Sequence, residues 1–293
     1  MIIVVLRGGL GNQMYEYASA RAMAMRAGTD LVLNTRMGFE TDKEYNRKYC
    51  LDCFNIQFLK RRFLSFDFPA GRYFESLSRK VGVHVLAPWY KVLFDKEANV
   101  EDMKENPHKY RNILMQGIWN RNDAFFDDNI KQIVSNDFRL QWELPEIVKE
   151  YKRKIESSSK PVIALGIRVF QDVKNRGQIE NGRQLPPEAS YIANAMNWYV
   201  EKFGDVKFMV FTQVPKWLYD NVQTNLYDFE IVDTGGDDTT AIFDMYLFSL
   251  CNHFILTNST FYAWGEKLNN NSNKFVVIPQ SWSLSAKHDW IRL

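Results

Sequence analysis

Three short stretches of the chain carry residue types that hold phosphates and sugar hydroxyls. One is Val162-Ile163-Ala164-Leu165-Gly166-Ile167-Arg168, an apolar run ending in a guanidinium. An arginine at the carboxyl end of a parallel strand points into the crevice where ligands of such sheets bind. Its planar fork matches phosphate oxygens two at a time. Taken alone, it is also consistent with a surface group closing a strand. The second stretch is Asn258-Ser259-Thr260-Phe261-Tyr262-Ala263-Trp264. Asn258 or Ser259 can cap a helix, and the free N–H groups behind Ser259 and Thr260 make a nest for a diphosphate. Ordinary capping explains most such strings. Here an arginine is expected at a neighbouring strand end, which favours a shared phosphate. Asp172, close behind Arg168, is the candidate general base for taking a proton from an attacking hydroxyl.

The third stretch is Arg7-Gly8-Gly9-Leu10-Gly11-Asn12-Gln13-Met14, between a strand and a helix. Glycines there permit a tight turn and close approach of a ligand to backbone. A dinucleotide fingerprint would need a third glycine where Met14 stands, and an acid after the second strand, whereas Asp30 precedes it. An NAD site is therefore rejected. The polar group Arg7, Asn12 and Gln13 suits sugar hydroxyls better.

The string Gly9-Leu10-Gly11-Asn12-Gln13-Met14, with Tyr17, Ala18 and Ala20 behind it, resembles the opening motif of the α-1,2-fucosyltransferases of glycosyltransferase family 11. Asp244 through Ser249-Leu250-Cys251 to Asn258-Ser259-Thr260-Phe261 and Trp264 is similar to a later motif of that family. Around Arg168 the family carries His-x-Arg-Arg-Gly-Asp. In this chain Gly166 replaces the His, Val169 the second Arg and Phe170 the Gly, and the acid is reached only at Asp172. The resemblance implies an inverting, metal-independent transfer of L-fucose from GDP-β-L-fucose to the 2-hydroxyl of a terminal galactose, giving an α-1,2-fucoside. By it, Arg168 and Thr260 meet the β-phosphate, with Ser259 nearby, and Asp244 accepts from the adjacent N1–H and N2–H₂ donors of guanine. The expected catalytic set is Arg168, Asp172 and Asn12. The expected donor-binding set is Gly9, Gly11, Gly166, Arg168, Asp244, Asn258, Ser259, Thr260 and Phe261. Trp89, Tyr90, Trp119 and Asn120 are offered as acceptor contacts. The rival readings are a fucosyltransferase of different linkage or acceptor, transfer of another sugar from GDP, and a glycan-binding relative that has lost catalysis.

The elements that must position these residues alternate between strand-length apolar runs and helix-period segments. Strands are expected at 2–6, 30–33, 112–117, 162–167, 207–212, 230–233, 254–257 and 275–278. Helices are expected at 12–27, 123–134, 187–203, 215–222, 241–251 and 259–268, while 36–107 reads as irregular. Such alternation predicts parallel sheets with helices on both faces. The fold class is α/β and GT-B-like, with two Rossmann-like domains facing a cleft. The polar stretch before Pro161 sets the boundary: an acceptor-side domain at 1–158 and a GDP-fucose-binding domain at 159–293.

Composition narrows the partners. With 37 basic and 35 acidic residues the net charge is +2, which gives no field for nucleic acid. Lys60, Arg61 and Arg62 read as a solvated edge. Three cysteines, Cys50, Cys53 and Cys251, make no disulfide framework or zinc site. The sequence contains no Asp-x-Asp to hold a divalent ion on a diphosphate, so no metal cofactor is expected. No apolar run reaches the ~18 residues of a membrane-spanning helix. The run 2–6 is too short for a signal core. A cytoplasmic, bacterial protein is expected, acting on an oligosaccharide or glycolipid precursor, with peripheral contact at the inner membrane face left open.

Overall fold

The run Ile2-Ile3-Val4-Val5 is wholly buried, as a strand between two neighbours in a covered sheet must be. The computed structural model describes residues 1–40, 42–43, 45–58, 81, 83–84, 87–120, 128–169, 186–237, 239–284 and 286–293. The chain divides into two units, Met1–Trp142 and Glu143–Leu293.

In the first unit, β1 (Ile2–Val5) lies between β2 (Leu31–Asn34) and β5 (Ile113–Gln116), parallel to both. The sheet continues through β4 (Ala87–Phe94), parallel to β5, and ends at β3 (Val83–His84), which is antiparallel to β4. The long helix α1 (Leu10–Ala27) joins β1 to β2. Its alanines at 18, 20, 22, 24 and 27 are buried, so the helix settles closely on its neighbours. It stops at Gly28, which takes the left-handed conformation and returns its N–H to the carbonyls of Ala24 and Met25. The stretch 36–107, expected to be irregular, contains β4 and the helix α2 (Val100–Glu105), which is capped by the Asn99 side chain accepting from the N–H of Asp102 at 3.0 Å. The helix expected at 123–134 is seen as α3 (Asp128–Asp137).

The second unit opens with α4 (Glu146–Glu156), whose Val148, Tyr151 and Ile155 are buried. This corrects the expected boundary at 158: the helix belongs with the sheet that follows it. The sheet is parallel throughout, in the order β11-β10-β9-β6-β7-β8. Its strands are β6 (Val162–Ile167), β7 (Lys207–Thr212), β8 (Phe229–Ile231), β9 (His253–Ile255), β10 (Val276–Ile278) and β11 (Ile291–Arg292). The chain thus starts mid-sheet at β6, walks outward through β7 and β8, then returns to the other side of β6 with β9. That is the Rossmann order, and the reversal between β6 and β9 is the kind of switch point at which ligands of such sheets bind.

Helices cover both faces. Ile163, Leu165 and Ile167 pack with Ile192, Met196 and Tyr199 of α5 (Ala189–Phe203) and Leu218 of α6 (Pro215–Asn221). On the other face, Phe248 of α7 (Ile242–Leu250) meets Phe211, Phe254 and Tyr262, the last on α8 (Thr260–Leu268). No helix among the described residues is long and apolar enough to cross a membrane.

Candidate active site

Arg168 follows β6, and Thr257-Asn258-Ser259 follows β9, so both sequence signatures stand at the strand-order reversal. Thr257 joins them. Its hydroxyl donates to the Gly166 carbonyl at 2.9 Å and accepts from the Arg168 N–H at 3.1 Å. Sequence reasoning passed over Thr257. A buried threonine directly ahead of Asn-Ser-Thr was the available signal. The Arg168 guanidinium donates through Nη1 to Oε1 of Gln213, the first residue past β7.

Ser259 is the N-cap of α8, extended at φ −147° and ψ 125°, and its side chain makes no capping hydrogen bond. The N–H groups of the first helical turn point out of the helix toward the crevice end of the sheet, where the helix dipole favours negative charge. Asn258 does something else. Its amide nitrogen donates to the Ser281 carbonyl at 3.0 Å, and its Oδ1 accepts from the N–H of Ser283 at 2.9 Å. This side chain holds the 281–283 loop, so Asn258 shapes the rim instead of offering its amide to a ligand. Phe261 is half-buried and edge-on to Tyr262, with ring centroids 5.4 Å apart.

Gly166 is buried beneath an aromatic ring. A Cβ at this position would stand 2.4 Å from Cγ of Tyr262, so no larger residue fits. The Tyr262 hydroxyl donates to the Phe211 carbonyl at 2.7 Å and lies 3.2 Å from that of Ile167. The ring therefore fills the space that a histidine at position 166 would need. Gly166 packs against this ring, and its carbonyl is engaged by Thr257, so the expectation that it contacts the donor gives way to a packing role.

Asp244 lies in the first turn of α7 and accepts from the Thr234 hydroxyl at 2.7 Å. Burial raises its carboxyl above the ordinary carboxylate range; the Thr234 hydrogen bond opposes that shift and the charge of Asp233 adds to it. Burial raises the Tyr262 hydroxyl above its ordinary range, with the charge of Arg168 opposing that shift and the charge of Asp244 adding to it. Asp172 and Phe170 lie outside the described residues, as do Lys60, Arg61 and Arg62.

The glycine turn of the first unit is a separate construction. Gly8 has φ 71°, and Asn12 folds back over it: a Cβ on Gly8 would meet the Asn12 amide nitrogen at 2.5 Å. Gly9 caps α1, and the space where its side chain would stand is open; Gly11 is buried in the first turn. Gln13, expected to meet sugar hydroxyls, is fully buried and its amide is spent on the protein. Nε2 donates to the carbonyls of Gly8 and Lys48 at 2.9 and 2.8 Å, and Oε1 accepts from the N–H of Cys50 at 2.9 Å. Glu16, also fully buried, accepts from the Arg7 N–H at 2.8 Å. Desolvation pushes its carboxyl well above the usual range, against the Arg7 hydrogen bond and charge.

Of the acceptor candidates, Tyr90 is 5% exposed and sits in the core of the first sheet, and Trp119 is 1% exposed. Neither offers a stacking wall. Trp119 is instead held at φ 57° in the turn after β5, beside Gly117 at φ 102°. Asp95, which follows β4, accepts from the N–H groups of Ile118 and Trp119 at 3.0 and 3.3 Å and shapes this turn. Nothing around Asp95 in the sequence marks it for this role. Asn120 is half-buried, and the side chain of Trp89 is outside the description.

Comparison with known proteins agrees with this architecture. The chain is similar to the O-antigen biosynthesis glycosyltransferase WbnK of Escherichia coli, with 24% identity over 98% of this chain and 99% of that protein. It is also similar to an alpha-1,2-colitosyltransferase of Escherichia coli, with 24% identity over 96% and 92%. In fold it resembles the Bradyrhizobium NodZ alpha-1,6-fucosyltransferase co-crystallized with GDP, at TM-score 0.52 and 15% identity over 90% of this chain and 91% of that one. The architecture is α/β and GT-B-like. The model of the family described as Glycosyl transferase family 11 matches residues 107–289, a span that holds Arg168, Asp244 and Thr260 together, and on that match the chain is a member of glycosyl transferase family 11.

Proposed function

We propose that the protein transfers L-fucose from GDP-β-L-fucose to the 2-hydroxyl of a glycan acceptor, inverting the anomeric centre to give an α-1,2-fucoside, without a metal. The observation that carries this is the placement of Arg168 and the start of α8 at adjacent parallel strand ends, where the strand order reverses. A diphosphate between them meets a fixed cation and a helix N-terminus. Two relatives support the linkage and the nucleotide: one is named for α-1,2 transfer, and a structure of the same fold was crystallised with GDP.

In the proposed reaction the acceptor oxygen attacks the fucose anomeric carbon from the face opposite the diphosphate. The bond to the β-phosphate oxygen breaks, GDP departs with that electron pair, and the acceptor proton passes to a base, assigned in this proposal to Asp172. Arg168 and the α8 N–H groups stabilise charge growing on the leaving group. Such a preorganised contact is worth roughly 2–4 kcal/mol. Asp244 reads the guanine edge.

Calorimetry with GDP on the wild type and Arg168→Ala tests the donor site. The variant is expected to lose roughly 30- to 1,000-fold in affinity; equal affinities would refute it. An acceptor panel with GDP-fucose and a chelator tests the reaction, with product linkage read by NMR. Asp172→Asn should bind GDP normally while transfer falls by about a hundredfold or more. A second reading, transfer of another sugar from GDP, is favoured by the colitosyltransferase likeness across nearly the whole chain. It predicts GDP binding with turnover only from that other donor.

A further inference from the structure

A charged side chain helps at a phosphate only if it is held where the phosphate arrives, and an arginine has many rotamers to lose. The backbone on which Arg168 stands is pinned from two directions. Thr257 holds its N–H at 3.1 Å, and the Tyr262 hydroxyl bridges the carbonyls of Ile167 and Phe211. The second contact ties together the ends of β6 and β7, which pair in the register Gly166 with Phe211 and Ile167 with Thr212. Extending that register sets position 168 beside position 213. There Oε1 of the Gln213 side chain accepts from Nη1 of Arg168. Gln213 is exposed and packs into no core. Its amide carries no charge, so it orients the guanidinium without neutralising it. A carboxylate at the same place would form an ion pair and compete with the diphosphate.

We propose that Gln213 is the positioning residue for Arg168: a neutral hydrogen-bond acceptor on the neighbouring strand that aims the guanidinium at the donor's diphosphate and sets how tightly the nucleotide is held. This rests on the reading that Arg168 meets that diphosphate.

The test uses GDP as the probe and the full chain in five forms: wild type, Gln213→Ala, Gln213→Glu, Arg168→Ala and the Gln213→Ala/Arg168→Ala double variant. Affinities are followed to millimolar nucleotide by NMR, and thermal melts confirm that each form is folded. Gln213→Ala is expected to weaken GDP about three- to tenfold, and Gln213→Glu by about tenfold or more. With Arg168 already removed, adding Gln213→Ala should change nothing further, because Gln213 acts only through the guanidinium. In turnover, Gln213→Ala should raise the donor KM and leave the acceptor KM alone. Three results would overturn the proposal: no effect of Gln213→Ala, wild-type affinity in Gln213→Glu, or an equal loss from Gln213→Ala in both backgrounds. Undiminished GDP binding by Arg168→Ala alone would instead remove the donor reading on which the proposal stands.

Discussion

Glu16 shows how far a side chain can be read from its type alone. A glutamate in a helix beside a glycine turn looks like a surface group, yet it is fully buried with one hydrogen bond from the Arg7 N–H. Burial holds its proton on, so the folded-state pKa lies well above 4.5. Below that value the acid is protonated both folded and unfolded, and the contribution to stability is whole. As pH climbs, the unfolded chain releases the proton first, and stability drains away until the folded pKa is passed. Glu16→Gln keeps the shape and the hydrogen bond without the titration. Its melting temperature should exceed that of the wild type at pH 8 and match it near pH 4; the reverse pattern would show Glu16 to be ionised in the fold. At this scale the sequence placed the guanidinium of Arg168 at a strand end and the hydroxyls of Ser259 and Thr260 at a helix start, where the structure has them. It misread Gln13, Asn258 and Gly166. Donors and acceptors are visible in a residue name, but the backbone groups that absorb them come from distant positions, Cys50 and Lys48 for Gln13 and Ser283 for Asn258, and the ring of Tyr262 that covers Gly166 is just as remote in sequence.

Elements in the second unit are fastened by tyrosine hydroxyls. Tyr191 and Tyr199, both on α5, donate to carbonyls of the β9–β10 region. Tyr191 reaches Leu256 at 2.7 Å and Val277 at 3.0 Å; Tyr199 reaches Phe275 at 2.8 Å and Phe254 at 3.1 Å. Removing either hydroxyl as Tyr→Phe should cost about 1 kcal/mol in urea denaturation, and a null result at both would mean that these contacts are idle. His253 joins the same strands, since its Nδ1 accepts from the Phe275 N–H at 3.1 Å. Burial, then the charge of Lys202, lowers its pKa from 6.5 to about 4. The stability it gives is present above 6.5 and is lost as pH falls toward 4, because the unfolded chain takes up the proton first. His253→Phe should be less stable at pH 7, yet its stability should fall less between pH 7 and 4.5; parallel pH profiles would place the titration elsewhere. Regular elements were legible where the period was clean, as in β6, β7 and α5. The strand β4 escaped because Pro88 and Lys91 interrupt its apolar run. Its place is set by pairing with β5, in which Lys91 is opposite Ile113, and that long-range partner cannot be seen locally.

For the molecule as a whole, the boundary shift has a direct consequence. Tyr151 of α4 takes part in the β8 end of the second sheet: its hydroxyl is 3.4 Å from the Ile231 carbonyl and accepts from the Asp233 N–H at 3.2 Å. A fragment of residues 143–293 should therefore unfold cooperatively, while 159–293, cut at the boundary expected from sequence, should be markedly less stable and expose apolar surface to dye. Equal stability of the two fragments would count against the assignment of α4 to this unit. The polar stretch before Pro161 looked like a linker because Ser157 and Ser158 are loop formers. The burial of Val148, Tyr151 and Ile155 overrides that local appearance.

The packing of Tyr262 on Gly166 also constrains how this protein can diverge from its relatives. Placing a histidine at position 166 by itself would collide with the ring, and shrinking the ring by itself would open a hole and unfasten two strand ends. Either single step is disfavoured although the pair together is sterically coherent. The two positions should therefore change in concert across descendants of this lineage, and any attempt to transplant the relatives' motif one substitution at a time should stall at the first intermediate.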